Sequence, residues 1–273
     1  MRAFRVAYDG RPFYGFQRQP DVPTVEGALF DALRALDVLE DDDRKPPGYA
    51  AAGRTDAGVS AVAQTVAFEP PGWLTPRAFN AELPGRIRVW ASADAPAQFH
   101  ATHDAAGRVY RYHLHAPADG PAGSDAPLDR ARDAASRLSG ERDFHNLTPD
   151  DDGTVRELDC SVARDGEFLV VRAAAGGFPR HFVRKLVGVV HGAATGRTGP
   201  ERVDAVLGPE PLADEAGVPM ASAEPLVLVG VDYPDLDFDR DSQAAGTVAD
   251  VFGAARTDGL VRARIADEVL DGV

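Results

Sequence analysis

Apolar residues recur along this chain with two spacings, and the switching between them lays out its elements. "AFRVAYDG" (3–10) carries the two-residue spacing of a strand that runs into a turn. In "TVEGALFDALRAL" (24–36), Val25, Leu29, Leu33 and Leu36 fall at helical spacing, with Thr24 placed as N-cap. The acidic, proline-rich "EDDDRKPPG" (40–48) predicts a loop, and "AVAQTVAFE" (61–69) alternates as a strand. "TPRAFNAEL" (75–83) predicts a short helix capped by Thr75, with Pro76 at its first position. "RIRVWASAD" (86–94) ends this series as another strand.

A second series repeats the plan. "RVYRYHLHA" (108–116) predicts a strand, and "PLDRARDAASRLSG" (127–140) a helix closed by Gly140. Two strands flank the Asp165-Gly166 turn within 155–175, a strong hairpin signal. "RHFVRKLVGVVHGAATG" (180–196) predicts a long helix with Phe182, Leu186, Val189 and Val190 on one face. "PERVDAVLG" (200–208) predicts a short helix and "PLVLVGVDY" (225–233) a last strand. The comparable order of the two series predicts an α+β fold of two related subdomains, 1–97 and 98–234. The acidic remainder, 235–273, has amphipathic helical spacing near "LVRARIADEVL" (260–270).

Composition narrows the setting. The 273 residues, 44% of them hydrophobic, suffice for a sizeable core. No apolar run reaches the roughly 18 residues of a membrane span, and the N-terminus turns polar too soon for a secretory signal. Cys160 is the single cysteine, so no internal disulfide or cysteine-based zinc site is expected, and a reducing cytoplasm is the expected location. The net charge of −14 repels nucleic acid at long range. Only two of the 29 basic residues are lysines, Lys45 and Lys185. An acid-rich, lysine-poor surface suits a salt-rich cytoplasm, where charges are screened over roughly 3 Å at 1 M; a GC-rich genome would deplete lysine as well. Against this background, 173–199 contains no acid while holding Arg180, Arg184, Lys185 and Arg197.

Four segments carry candidate chemistry. In "AAGRTDAGVSA" (51–61), Asp56 fits an ordinary Asx-type turn, its side chain bonding its own backbone and Gly58 at positive φ. It equally fits a carboxylate held for chemistry, and a nearby arginine such as Arg54 favours the charged form. In "RVYRYHLH" (108–115), Tyr110 and Tyr112 share a strand face near Arg108, an arrangement suited to core packing or to stacking on a base. In "GGFPRHFVRKLVG" (176–188), Arg180 and Arg184 stand one helical turn apart after a Gly-Gly turn, as decoration or as a phosphate cradle. In "YDGRPFYGFQRQP" (8–20), Gln17, Arg18 and Gln19 are free for polar partners. No Ser-His-Asp order, zinc spacing or phosphate loop is present.

Six of these stretches, in this order, resemble the TruA-type tRNA pseudouridine synthases. They are "YDGRPFYGFQRQ", "TVEGALFDAL", "GRTDAGVSA" with "QTVAF", "FHATHDAAGRVYRY", "GFPRHFVRKLVG" and "LVLVGVDY". The resemblance runs from about residue 1 to 233. It implies two ferredoxin-like subdomains sharing a mainly antiparallel sheet with a central basic cleft. It also implies isomerisation of uridine to pseudouridine at positions 38, 39 and/or 40 of the tRNA anticodon stem and loop. The implied partners are tRNA and a second copy, in a homodimer, with no cofactor, metal, membrane or DNA. By the same resemblance Asp56 is the catalytic carboxylate and nucleophile, and Arg54 displaces or holds the target nucleotide. Tyr110 stacks on the uracil, Arg184 pairs with Asp56, and Gln17, Arg18, Arg180 and Lys185 contact the RNA. Phe16, Ser60 and Lys185 depart from the tryptophan, histidine and asparagine common in the family. Two rival readings keep the same residues: an inactive tRNA-binding protein or RNA chaperone, and a carboxylate-dependent hydrolase, which wants a second acid or a metal cluster.

Overall fold

The computed structural model describes residues 1–118, 125–213 and 217–273. Strand β1 (Arg2–Tyr8) leads into helix α1 (Val25–Ala35). Thr24 caps α1 by accepting a hydrogen bond from Gly27 N at 3.2 Å, which satisfies one of the free N–H groups of the first turn. Strands β2 (Ala50–Ala51) and β3 (Ser60–Phe68) follow, then α2 (Pro76–Glu82) and β4 (Ile87–Asp94). Thr75 caps α2 through Ala78 N, with Pro76 at the start as its sequence requires.

The second series is β5 (Gly107–His115), α3 (Ala126–Leu138), β6 (Gly140–Asp143), β7 (Val155–Asp165), β8 (Phe168–Ala175), α4 (Phe182–Ala194), α5 (Pro200–Val206) and β9 (Leu226–Asp232). The β7–β8 hairpin turns at Gly166, φ 57°, with Asp165 opposite Phe168. Strand β10 (Asp239–Arg240) and helix α6 (Ser242–Asp271) complete the described chain. Helix α6 runs far beyond the 260–270 segment that its spacing marked.

All ten strands join one mixed, mostly antiparallel sheet, in the order β10-β4-β1-β3-β9-β5-β8-β7-β6, with β2 on β3. The α+β class therefore holds. The last long strand, β9, sits at the centre. It runs parallel to β3 only at Ser60 and Ala61 and antiparallel to β5 over most of its length. Strand β2 pairs with the other end of β3, at Ala67 and Val66. The cleft described below is lined by Ala50 and Ala51 of β2, by Val59 just before β3, by Tyr110 of β5 and by Leu226 of β9.

Two apolar cores flank this seam. One holds Phe4, Phe68 and Phe79, with Phe4 and Phe68 stacked at 5.3 Å and Phe79 edge-on to both. The other holds Leu138, Phe144, Phe182 and Leu186. Truncating any of these fully buried phenylalanines to alanine costs about 3–5 kcal/mol. Arg5 clasps the two sides: its guanidinium bonds Thr65 Oγ1 and the carbonyl oxygens of Ala63 and Val231, and lies 4.1 Å from the centre of the Phe238 ring. No described helix is long and apolar enough to cross a membrane.

Candidate active site

The segment before β3 is held from several sides, and this fixes Asp56. Gln64 Nε2 donates to Gly53 O at 2.9 Å, and Thr55 Oγ1 shares a buried 2.8 Å bond with Tyr8 Oη. Phe16 N donates to Thr55 O, and Gly58 N to Phe13 O. The turn itself closes through Val59 N on Asp56 O at 3.1 Å, with Gly58 at φ 84°, the backbone of a type II turn. Gly58 thus has the expected conformation, but the expected Asx bond is replaced. The Asp56 carboxylate turns away from its own backbone and meets Arg184 Nη1 at 3.0 Å.

Arg184 reaches Asp56 from the first turn of α4, with its Nε bonded to Ala221 O at 2.9 Å. The pair spans both series of elements, 128 residues apart in sequence. Its side chains are 17% and 34% exposed, so water reaches the acid more than the base. A charge-assisted bond of this kind leaves one carboxylate oxygen free to face a bound molecule.

Tyr110 lies on β5 and packs against both cores. Its ring meets Phe178 edge-on at 5.4 Å. Removal from water pushes its hydroxyl up to about 12, with Arg108 opposing and Asp56 adding to the shift. A neutral hydroxyl on a half-buried ring is built for stacking and hydrogen bonding rather than for taking a proton. Tyr112 is buried in the second core, so the two tyrosines do not form a joint platform. Arg108 is not a stacking partner either. Its guanidinium donates to the carbonyl oxygens of Thr102, Gly176, Ala52 and Ala105 at 2.6–3.2 Å. It thereby ties β5 to the approach to Asp56 and to the Phe178 segment.

Around Asp56 lies a cleft of about 1260 Å³. Its lining includes Arg18, Arg44, Lys45, Arg54, Arg180 and Arg184 against three acids, Asp21, Glu26 and Asp56. A chain of charge −14 thus concentrates cations at one concavity, which attracts an anionic ligand locally. Gln17 and Arg54 are exposed in the lining, and Arg54 does not pair with Asp56. Arg18 N donates to Glu26 and its guanidinium approaches Arg44 O at 3.5 Å. Gln19 is partly committed, with its amide on Tyr14 O. Lys185 is not in the cleft lining.

The expected Arg180–Arg184 helix face is not formed. His181 takes φ 62° and starts α4 as its N-cap, so Arg180 precedes the helix. Arg180 instead binds Asp150, through its backbone N at 2.9 Å and Nε at 2.5 Å. This bond and the guanidinium hold the Asp150 carboxyl below its ordinary value. The Arg180 side chain is exposed and Asp150 partly so, and such a solvated pair contributes little to stability. It does occupy an arginine of the cleft. Asp150→Asn is therefore expected to bind RNA about two- to tenfold more tightly at low salt, with a steeper salt dependence. Filter binding across a potassium chloride series checks this, and unchanged affinity and slope would show that Arg180 takes no part.

Sequence reasoning missed Arg44, Lys45, His100 and Phe178 as lining residues. Arg44 and Lys45 were hidden by the acidic run that precedes them. Phe178 stood beside the Gly-Gly turn as an unremarked apolar residue. Ser60, one of the family departures, accepts a bond from Gly10 N at 3.0 Å, and Phe16 is buried beside Tyr8. Among the described residues, no group of three or more His, Cys, Asp or Glu side chains is placed to hold a metal ion.

Burial raises five tyrosines: Tyr110 and Tyr233 to about 12, Tyr8 and Tyr49 further, and Tyr112 as well. A folded-state value above the ordinary 10.0 favours the neutral form, so this stability is fully present below about pH 10 and is lost as pH rises toward 12. Denaturant unfolding at pH 8, 9 and 11 should show nearly constant stability between the first two and a fall at the third.

Sequence comparison identifies the class to which the chain belongs. A profile described as tRNA pseudouridine synthase matches residues 134–234, which places the chain among the pseudouridine-forming isomerases. The tRNA pseudouridine synthase A of Haloarcula marismortui is 54% identical over all of both chains. That of Halobacterium salinarum is 58% identical over 97% of each, and that of Methanosarcina barkeri 35% identical over 98% of this chain and 97% of its own. The chain belongs to the tRNA pseudouridine synthase A family.

Proposed function

We propose that this chain isomerises uridine to pseudouridine at positions 38, 39 and/or 40 of tRNA, with Asp56 as the essential carboxylate. The observation that carries the reading is the Asp56–Arg184 pair at 3.0 Å inside a cation-lined cleft. We read the two series as ferredoxin-like subdomains, since each runs β-α-β-β-α-β apart from the added β6 and α5. Residues 1–97 and 98–234 are those subdomains, and the enzyme works as a cytoplasmic homodimer without cofactor.

The target uridine is stacked in the anticodon arm, so it must flip out, at a cost of a few kcal/mol. The bond from C1′ to N1 then breaks, the uracil turns, and a bond from C1′ to C5 forms while C5 loses its proton to solvent and N1 gains one from it. Asp56 serves as nucleophile at the sugar or the base, or as the base that removes a sugar proton. Arg184 fixes the carboxylate's direction during these steps. Tyr110 stacks on the detached uracil and keeps it from leaving. Its high proton affinity argues against a free tyrosinate as the final base, so Tyr110→Leu is expected to cost more activity than Tyr110→Phe. Arg54, Gln17, Arg18 and Arg180 hold the RNA backbone, and Lys185, away from the cleft, contacts RNA only if the tRNA extends past α4.

In a salt-rich cytoplasm each phosphate contact is weakened by counterion competition. Stacking and shape fit then carry a larger share of the affinity, and arginine suits this because it both binds phosphate bidentately and stacks. A steep collapse of affinity across molar potassium chloride would count against this view. The main test uses unmodified tRNA with tritium at uracil C5, incubated with wild-type protein and Asp56→Ala. Tritium release by wild type alone, with pseudouridine mapped at 38–40, supports the proposal. Binding without release by wild type favours the inactive RNA-binding reading.

A further inference from the structure

Helix α6 has 30 residues and so spans about 45 Å. Only Ala244 and Ala245 are buried, and every residue from Gly253 to Val273 is exposed. The free half nevertheless carries large apolar side chains: Val261, Ile265 and Val269 are 52%, 60% and 61% exposed. They stand four residues apart and form one line along the helix. An apolar line on a projecting helix requires a partner.

The charges along this half select the partner. From Gly253 onward there are three arginines, Arg256, Arg262 and Arg264, against Asp258, Asp267, Glu268 and Asp271. That balance lacks the basic face of an RNA-binding or membrane-surface helix. It does suit its own copy. When two such helices run antiparallel about Ile265, Val261 lies opposite Val269 of the second copy, and Ile265 meets Ile265. Arg264 then flanks Glu268 of the second copy on the same side of the seam, and the twofold axis repeats this pair. Asp258 and Arg262 are already joined within the helix at 3.0 Å and need no outside partner.

We propose that the free half of α6 is a self-association arm that pairs antiparallel with α6 of a second copy. The proposal rests on the homodimer reading above and adds the surface that makes it. Each copy carries −14, so their repulsion is strong in dilute salt and screened in molar salt. Dimerisation should therefore strengthen as salt rises.

The test combines sedimentation with site-directed crosslinking of the full chain in molar potassium chloride. Ile265→Cys places a thiol on the twofold axis, while the native Cys160 is buried and supplies no background. Oxidation is expected to give a covalent dimer for Ile265→Cys and none for Leu260→Cys, which points away from the seam. The Val261→Asp, Ile265→Asp double variant should weaken dimerisation by at least 100-fold with far-UV circular dichroism retained. A monomeric wild type overturns both this proposal and the homodimer reading. A dimer that resists the double variant and fails to crosslink at 265 overturns the arm alone. Neither outcome touches the tritium-release assay.

Discussion

Asp56→Asn should bind tRNA as wild type does and release no tritium from uracil C5 above about one part in 10⁴ of the wild-type rate. Asparagine keeps the size of the side chain and one oxygen for the Arg184 bond at 3.0 Å. It removes the negative charge and the second reactive oxygen. The pair is only partly buried, so folding should be little affected, and unfolding curves of the two proteins should nearly coincide. Residual activity within tenfold of wild type would remove Asp56 from the reaction. The companion change Arg184→Ala should also abolish activity. The double variant should then be no worse than either single one, because both act through one carboxylate.

The second large effect concerns a residue that touches no substrate. A Cβ at Gly10 would lie 2.0 Å from the carbonyl oxygen of Val59. That is impossible without moving the loop after β1 or the turn that holds Asp56. Gly10→Ala is expected to lower stability by about 3 kcal/mol and to cut activity in the fraction that folds. Urea unfolding and tritium release on the same preparation separate the two losses. Normal activity per folded molecule would show that the turn tolerates the shift.

The sequence carried local instructions well and distant ones poorly. Thr24, Thr75 and the Asp165-Gly166 turn act within a few residues, so their caps and hairpin were readable in the order of residues alone. Asp56 and Arg184 were separately visible as chemistry-bearing residues, and their pairing came only from family resemblance, since no local rule joins positions 128 apart. Arg180 was misplaced because the left-handed backbone of His181 starts the helix two residues later than its apolar spacing suggested. Arg108 looked available for stacking because the four carbonyls that claim it come from segments scattered across the chain. Arg44 and Lys45 reach the cleft although the acids before them made the loop look merely solvated.

The central place of β9 sets an order on how the enzyme is made. The Asp56 turn leaves the ribosome early, but the strand that joins β3 to β5 ends only at Asp232. At about 10 residues per second, roughly 18 s separate the synthesis of these two points. During that interval Ser60 and Ala61 of β3 lack their β9 partners, and Arg5 lacks the Val231 carbonyl that it bonds. A nascent chain halted before β9 should therefore lack Leu228, Val231 and Tyr233 from its first core, lack the link from β3 to β5, and have no working cleft.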